Sequence, residues 1–451
     1  MSAAPSTIIE PFAIAHATLV TGDAESTTLD DMTVIIGANG RIEQVSPSLS
    51  TPIPSDYHML DATGKTVMPG LINAHAHLFS GGKPINPKLA TPTGQRRVAA
   101  FAHSPLGRPY IAAKARSSVM AQLCSGVTTL RTLGDVGYEA VALRDRIDAG
   151  ELVGPRLLAS GPLLAIPEGH GAPLIALVCP DEDAARANTL ENISHGANAI
   201  KIAATGGVTD AQELGEAGSP QMTVEQMRAI CDAAHESGVI VAAHAQSTEG
   251  VRRALLAGVD TIEHGAVLND DLIELFLNNP NALRGWSALI PTLSAALPLL
   301  DVDQSVSGIT DIQLENSRIV VAGMLEGARQ AREAGLRVGV GTDAAMTFVT
   351  QYGTWRELDL LVKRGGFTAA EALHAATAVN AEILGVEDVT GSISTGRAAD
   401  LLVVNGNPLE DLRVLEHPNL VVAAGHPIWR PDAKIKRIAD LDEILDQTYA
   451  S

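Results

Sequence analysis

The chain has 451 residues, a length that suits a large barrel with an added domain. Its hydrophobic content of 46% and charged content of 19% are typical of a globular protein. A formal net charge of −20 opposes binding to nucleic-acid phosphates or to anionic membranes, and we predict neither.

Features that would direct the chain to a membrane or out of the cell are missing from the sequence. We find no apolar run of about 18 residues or more, and no signal-peptide pattern in the first ten residues. The three cysteines are widely spaced and unpaired by motif, as expected in a reducing compartment. We therefore expect a cytoplasmic enzyme.

Both ends of the chain are rich in β-strand patterns. Near the N-terminus, residues 12–20, 32–36 and 41–45 read as strands, and a hairpin signal lies at residues 37–40. Similar patterns return at residues 399–404 and 420–424. The sequence thus predicts one small β-sandwich domain formed from both termini, residues 1–68 plus 387–451.

The middle of the chain, residues 69–386, alternates buried-strand runs with helical segments. The predicted strands are residues 67–74, 128–133, 157–162, 199–203, 239–243, 261–263, 289–293 and 338–342. Eight successive β-then-α units indicate an α/β fold with a closed (β/α)8 TIM barrel. An open, doubly wound sheet is the alternative, but its glycine-rich dinucleotide turn is missing.

Two long connections in this region are predicted to form substrate loops. Residues 79–108 are rich in Gly and Pro and too long for a simple βα loop, so we expect a lid. The segment after the seventh predicted strand, residues 294–312, is the second candidate specificity loop.

The segment around His75 and His77 carries the most chemical information. In a strand, side chains two residues apart point to the same face, so these two imidazoles can hold one metal ion. A His-x-His pair is a weak signal when it stands alone. Further ligand types in the same chain make it stronger.

Four more polar residues close or interrupt apolar strand runs: Lys201, His244, His264 and Asp343. In a TIM barrel, reactive groups lie at the carboxyl ends of the strands. Imidazole and carboxylate groups bind Zn²⁺ or similar divalent ions, which activate water for hydrolysis. Asp343 is the candidate proton acceptor. Lys201 is either a carbamate formed with carbon dioxide or an ordinary ammonium paired with a carboxylate.

These motifs resemble the amidohydrolase superfamily, in its imidazolonepropionase-like and Xaa-Pro dipeptidase (prolidase)-like branch. The resemblance rests on PGLINAHAH at residues 69–77, KIAATGGV at 201–208, GTDA at 341–344 and GRAADL at 396–401. It extends over about residues 10–428.

The resemblance implies a binuclear metal site, with zinc the expected metal. His75, His77 and Asp343 would hold one ion, and His244 and His264 the other. Lys201, as N6-carboxylysine, would bridge the two ions. Relatives in this family are often multimers, which implies a homo-oligomer.

A further histidine, His170, lies in a Gly-flanked loop after the third predicted strand. The resemblance implies that it polarises the scissile carbonyl or binds substrate, and a solvent-exposed loop histidine is the alternative. His170 and Asp343 are the catalytic candidates.

The expected activity is metal-dependent hydrolysis of a carbon–nitrogen amide or peptide bond. The predicted small-molecule substrate is a dipeptide or an N-acyl amino acid, cleaved by a dipeptidase (prolidase-like) or carboxypeptidase reaction. Alternatives are a cyclic-amide hydrolase like imidazolonepropionase, a lactonase, and a catalytically dead scaffold. Lys201 favours the peptidase-like branch, whereas residues 219–222 (SPQM) lack an aromatic hydroxyl found in several peptidase-like relatives.

Overall fold

The structure, a computed structural model, describes residues 9–84 and 92–449. Residues 1–8 and 450–451 of the predicted terminal domain, and residues 85–91 of the predicted lid, lie outside the described residues. Strands predominate near both ends of the described chain, and its middle contains both strands and helices. Among its helices, none combines the length and apolar character needed to cross a bilayer.

Within the described residues, seventeen strands form three sheets. In chain order they are β1 (Phe12–Val20), β2 (Thr28–Ile36), β3 (Ile42–Pro47), β4 (His58–Asp61), β5 (Lys65–Pro69), β6 (Leu71–Ala76), β7 (Val127–Thr132), β8 (Arg156–Ala159), β9 (Leu163–Ala165), β10 (Ala176–Val178), β11 (Ala199–Ala203), β12 (Ile240–Ala245), β13 (Thr261–His264), β14 (Ala288–Ile290), β15 (Leu401–Asn405), β16 (Leu420–Ala423) and β17 (His426–Trp429).

The helices pack around these strands. They are α1 (Pro92–Ala102), α2 (Gly107–Cys124), α3 (Glu139–Asp148), α4 (Glu182–Ser194), α5 (Val224–His235), α6 (Thr248–Ala257), α7 (Asp270–Leu277), α8 (Leu293–Asp301), α9 (Gln304–Ser307), α10 (Asp311–Glu333), α11 (Thr354–Lys363), α12 (Ala369–His374), α13 (Asn380–Leu384) and α14 (Ala439–Thr448).

The largest sheet joins the two ends of the chain. Its order is β17-β16-β15-β5-β1-β2-β3, and β4 pairs with β1. Strand β15 runs antiparallel to β5, so the C-terminal strands continue the N-terminal sheet. One face of this sheet buries its own apolar cluster, which includes Ile14, Val34 and Leu401.

The middle of the chain forms parallel sheets. Strands β6, β7 and β8 make one, and β10-β9-β11-β12-β13-β14 make the other. The Asn198 N–H donates to the Ala159 carbonyl, 2.9 Å away, and connects the end of β8 with the start of β11. Parallel strands place their carboxyl ends at one edge, which brings the sequence-predicted site residues together.

The predicted eighth strand, residues 338–342, forms isolated backbone bonds and not a regular strand. The Gly339 N–H donates to the Leu289 carbonyl, and the Ala74 N–H donates to the Val340 carbonyl, both at 2.9 Å. The Asn380 amide oxygen accepts the Val340 N–H at 3.1 Å. A side chain therefore replaces part of the strand ladder, which the apolar pattern of this segment does not reveal.

The two predicted loops contain helices. Helix α1 and the start of α2 occupy part of residues 79–108, and α8 and α9 occupy most of residues 294–312. The sequence analysis did not predict these helices. At Gly107 a Cβ would lie 1.8 Å from the Phe101 carbonyl oxygen, so this glycine serves close helix packing and not loop flexibility.

Helix ends follow the sequence signals. The Thr-x-x-Glu pattern of Thr368 and Glu371 forms a capping box at the start of α12, with the Glu371 N–H donating to the Thr368 hydroxyl at 3.2 Å. Gly258 ends α6 in the left-handed conformation, at φ +104°. These caps fix where each helix begins and ends relative to the strand that follows it.

Candidate metal centre

Two histidines and one aspartate meet at the carboxyl end of β6. The Oδ1 atom of Asp343 lies 3.2 Å from His75 Nε2 and 3.0 Å from His77 Nε2. One ligand atom from each of the three residues lies within 4.8 Å of the others, and all three residues are buried. This group could hold a metal ion.

The protons of both imidazoles are committed elsewhere. His75 Nδ1 donates to a Glu263 carboxylate oxygen at 2.7 Å, and His77 Nδ1 donates to the Gly134 carbonyl at 2.8 Å. Burial lowers the pKa of His77, which favours its neutral form. With Nδ1 engaged in this way, Nε2 is the ring nitrogen that each histidine turns towards Asp343.

Asp343 completes a group of three potential metal ligands. Burial alone would raise the pKa of Asp343, but His75 and His77 outweigh it and hold this pKa well below its usual range. The ionised carboxylate and the two imidazole nitrogens face one another at about one ligand–ligand distance. Carboxylate and imidazole groups bind divalent ions such as Zn²⁺, so the group fits the chemistry of a divalent metal.

Lys201, His244 and His264 lie on the neighbouring strands. In the parallel register Ala203 pairs with His244, and Ala245 pairs with His264. The ring centroids of His244 and His264 are 4.5 Å apart, and those of His75 and His264 are 5.4 Å apart. The three strands thus bring these side chains to the His75–Asp343 group.

The Lys201 amine is buried and chemically unusual. Burial lowers the pKa of Lys201 to about 8, although the charges of Glu263 and Asp343 oppose this effect. Among the described residues, Lys201 Nζ and Asp343 Oδ1 are buried polar atoms without a hydrogen-bond donor or acceptor partner. Buried polar atoms normally have partners. A metal ion would give Asp343 Oδ1 a partner and would lie beside Lys201, so these residues fit a metal site.

His244 and His264 are prepared to act as neutral ligands. Burial lowers the pKa of both well below the usual value for histidine. His264 Nδ1 donates to the Thr292 hydroxyl at 2.6 Å, and that hydroxyl donates to the Pro291 carbonyl at 2.8 Å. The His264 Nε2 lone pair is thereby left for a metal ion. In many metal sites the other ring nitrogen of a histidine ligand is likewise held by a hydrogen-bond acceptor.

Backbone strain is concentrated at the same place. His264, Thr292 and Asp343 have φ values of +72°, +50° and +58°. Residues other than glycine rarely adopt this region, and a β-branched residue such as Thr is disfavoured most. Strained conformations of this kind occur where the surrounding structure must aim a side chain.

A buried ion pair between Arg131 and Glu263 contacts the His75 ring. Glu263 accepts hydrogen bonds from Arg131 at 2.9 Å and from the Thr261 hydroxyl at 2.6 Å, in addition to the bond from His75. Burial would raise the pKa of Glu263, but Arg131 and His75 outweigh it and lower the pKa. Arg131 also donates to the Ala74 carbonyl at 2.6 Å. The pair fixes the orientation of the His75 ring.

His170 lies between β9 and β10 and reaches the same cluster. Its ring stacks on His244, with centroids 4.0 Å apart and planes inclined by 26°. Its Nδ1 pairs with Asp210, and its backbone N–H donates to Gln221 Oε1 at 2.9 Å. All seven sequence-predicted site residues are therefore close together.

Residues 66–428 match the family model described as "Amidohydrolase family". The chain belongs to the amidohydrolase family.

Relatives of this amidohydrolase include enzymes of both branches predicted from the sequence. A crystal structure of a candidate prolidase from Bifidobacterium longum is 64% identical, covers 98% of this chain and 100% of that chain, and has a TM-score of 0.87. Imidazolonepropionase of Deinococcus radiodurans is 27% identical over 391 residues, 84% of this chain and 86% of that protein. Ochratoxinase of Aspergillus niger is 27% identical over 326 residues, 66% of this chain but only 64% of that protein's length.

These matches confirm the predicted family and class of enzyme. Membership implies an α/β fold of the TIM-barrel type and a hydrolase region that acts on amide or peptide carbon–nitrogen bonds. The family generally uses divalent metals, which agrees with the His75–His77–Asp343 group.

Sequence reasoning missed several residues of the amidohydrolase site: Glu263, Thr292, Asp210 and Glu357. Only Glu263 had a usable signal, because it is a charged residue inside a buried strand. Glu357 is fully buried on α11 and accepts N–H groups of Leu293 and Ser294 at 2.8 and 2.7 Å, at the start of α8. It thereby holds the segment that carries Thr292.

Proposed function

We propose that this amidohydrolase is a binuclear metal-dependent hydrolase that cleaves the amide bond of a dipeptide or an N-acyl amino acid. The reaction would be that of a prolidase-like dipeptidase or of a carboxypeptidase. The observation that carries the proposal is the contact of Asp343 Oδ1 with two buried imidazole nitrogens. The 64% identity to a candidate prolidase supports the choice of substrate class.

The proposed ligands divide into two sets. His75, His77 and Asp343 would hold one ion, His244 and His264 would hold the other, and Lys201 would bridge them as N6-carboxylysine. The lowered pKa of Lys201 supports this assignment, because only the neutral amine reacts with carbon dioxide. When bound, the ions, which we propose to be Zn²⁺, act as Lewis acids on the carbonyl oxygen and lower the pKa of water.

The protein side chains perform the proton transfers and the positioning. Asp343, kept ionised by His75 and His77, accepts a proton from the attacking water and delivers it to the departing nitrogen. His170, in the loop between β9 and β10, binds the substrate. Glu263 and Thr292 keep the two ligand rings that they contact in one tautomer and orientation.

The proposed architecture is a closed (β/α)8 barrel over residues 69–386 and a β-sandwich domain from residues 1–68 plus 387–451. Support for closure comes from backbone bonds that lead from β14 through residues 339–340 to β6. Support for the composite domain comes from the pairing of β15 with β5. We further propose a cytoplasmic homo-oligomer that acts on small molecules.

A cyclic-amide hydrolase of the imidazolonepropionase type is the second candidate. The 27% identity to imidazolonepropionase over 84% of the chain favours it. Lys201 favours the dipeptidase reading, because a bridging lysine is expected only for two ions.

Metal analysis and a Lys201 variant test the proposal. We expect about two ions per chain in metal-replete protein. Lys201→Ala should lower the metal content and abolish hydrolysis of a dipeptide and N-acyl amino acid library, with partial rescue by short carboxylic acids. Lys65→Ala, in the terminal sheet, is the control and should retain both. Less than one ion per chain in the wild type, or full activity of Lys201→Ala, would refute the binuclear site.

A further inference from the structure

Asp210 has no role in the hydrolysis outlined above, yet it contacts a proposed catalytic side chain. It ends a short 3-10 turn, Val208–Asp210, that follows the Gly206–Gly207 pair after β11. Its carboxylate accepts the Nδ1–H of His170. The Asp210 side chain is partly exposed, so it lies at the mouth of the site and not in the core.

The His170 ring is restrained from three directions. Asp210 binds its Nδ1, Gln221 binds its backbone N–H, and His244 stacks against its face. A carboxylate at Nδ1 selects the tautomer that carries its proton on Nδ1 and has a lone pair on Nε2. Because Nδ1 and one ring face are occupied, Nε2 is the atom left for a substrate.

The glycine pair makes room for this arrangement. A Cβ at Gly207 would lie 2.5 Å from His170 Cε1 and 2.6 Å from Nδ1. Real Cβ atoms do not approach other atoms so closely, so the ring packs directly on the backbone of the loop that carries Asp210. The Gly206 carbonyl lies 3.3 Å from His244 Nε2, so the same loop also contacts the stacking partner.

Helix α10 anchors the loop on both sides of Asp210. Gln313 Nε2 donates to the Thr209 carbonyl at 2.7 Å. Asn316, which is 1% exposed, accepts the Gly215 N–H at 3.0 Å and donates to the Glu213 carbonyl at 3.0 Å. The carboxylate of Asp210 is therefore presented by a loop that is fixed on both sides.

We propose that Asp210 is a positioning residue that holds the His170 ring so that the Nε2 lone pair faces a hydrogen-bond donor of the substrate. Without this acceptor, the ring can flip about its Cβ–Cγ bond and exchange tautomers. Misplacement of a catalytic group by about 1 Å can lower a rate by about 100-fold. The inference rests on the proposed function of His170.

The test is a double-mutant cycle between the two residues. For the best dipeptide substrate, we expect Asp210→Ala to lower kcat by about 10- to 100-fold with a small change in KM. In the His170→Ala background the same substitution should change kcat by less than about 2-fold, because its partner is gone. Asp210→Asn, which keeps a side-chain oxygen acceptor, should retain most of the wild-type kcat.

A second measurement does not depend on turnover. Nitrogen-15 NMR of the histidine rings, with His170 identified by the signal that His170→Ala removes, reports which ring nitrogen carries the proton. We expect the Nδ1–H form in the wild type and in Asp210→Asn, and a mixture in Asp210→Ala. Glu213→Ala, an exposed carboxylate on the same loop, is the control and should alter neither kcat nor the tautomer.

The outcomes separate the inference from the proposed function. Wild-type kcat and tautomer in Asp210→Ala, beside an impaired His170→Ala, would overturn the inference alone. The inference would also be overturned if Asp210→Ala lowered kcat by the same factor in the wild type and in His170→Ala. If His170→Ala kept wild-type kcat, the proposed role of His170 would fail and the inference would fail with it.

Discussion

At the scale of single residues, the site is built from buried charges that each have a fixed partner. Glu263 and Arg131 are both fully buried, and their side chains meet at 2.9 Å. Glu263 also holds the Nδ1–H of His75. Removing one member of a buried pair leaves the other charge desolvated and unmatched, which costs far more than loss of an exposed pair.

Glu263→Gln should therefore destabilise the protein by about 3–5 kcal/mol, because the Arg131 guanidinium loses its counter-charge. Urea unfolding of chelated protein measures this effect without a contribution from metal binding. Glu249→Gln is the matched control, since Glu249 pairs with Arg252 and Arg253 on the exposed face of α6. That change should cost about 1 kcal/mol or less, and equal losses in the two variants would contradict the prediction.

At the scale of secondary structure elements, α10 connects two parts of the site. Near its N-terminus, the side-chain amides of Gln313 and Asn316 bind the loop that carries Asp210. Its middle packs against Ala266, two residues after His264. At Gly327 a Cβ would lie 2.0 Å from the Ala266 carbonyl oxygen, whereas at Gly323 the nearest atom, Ala266 Cα, would be 3.7 Å away. Only Gly327 is required for the close approach of the helix.

Two alanine substitutions on α10 should thus have opposite effects. Gly327→Ala should destabilise by about 1–3 kcal/mol, because the helix must move away from Ala266. Gly323→Ala should stabilise by up to about 1 kcal/mol, because alanine favours helix and has room. Thermal unfolding of both variants measures the difference. A loss of stability for Gly323→Ala as large as that for Gly327→Ala would show that crowding at Ala266 is not the cause.

At the scale of the whole molecule, the candidate ligands connect distant parts of the chain. His75 and Asp343 are separated by most of the central region, with Lys201, His244 and His264 between them. The unfolded chain cannot offer these groups in one place. Metal binding should therefore stabilise the folded state by mass action.

Chelation should lower the thermal unfolding midpoint, and added zinc should restore it. Free metal at about 100 times its dissociation constant contributes about 2.7 kcal/mol to stability. His77→Ala should reduce this zinc response, because it removes a ligand from the Asp343 group. His58→Ala, in β4 of the terminal sheet, should keep the full response. An unchanged midpoint after chelation of the wild type would contradict metal binding by the folded state.

Much of the fold could be predicted because it is encoded locally. The capping box at Thr368 and the C-cap at Gly258 lie where the sequence places them. The helices within residues 79–108 and 294–312 were not predicted from the sequence, and Gly107 in the first of them serves close helix packing. Residues 338–342 are not a regular strand, because the Asn380 side chain takes part of their hydrogen bonding, and this residue is 40 positions away from Val340.

The sequence by itself determined the family and the candidate ligands, since histidine, lysine and aspartate at strand ends form a local pattern. Tertiary structure alone decided which groups orient them. Glu263 reaches His75 across 188 residues, Thr292 reaches His264 across 28, and Asp210 reaches His170 across 40. Periodicity describes neighbours within one element, whereas these partners come together only when the parallel strands align their carboxyl ends.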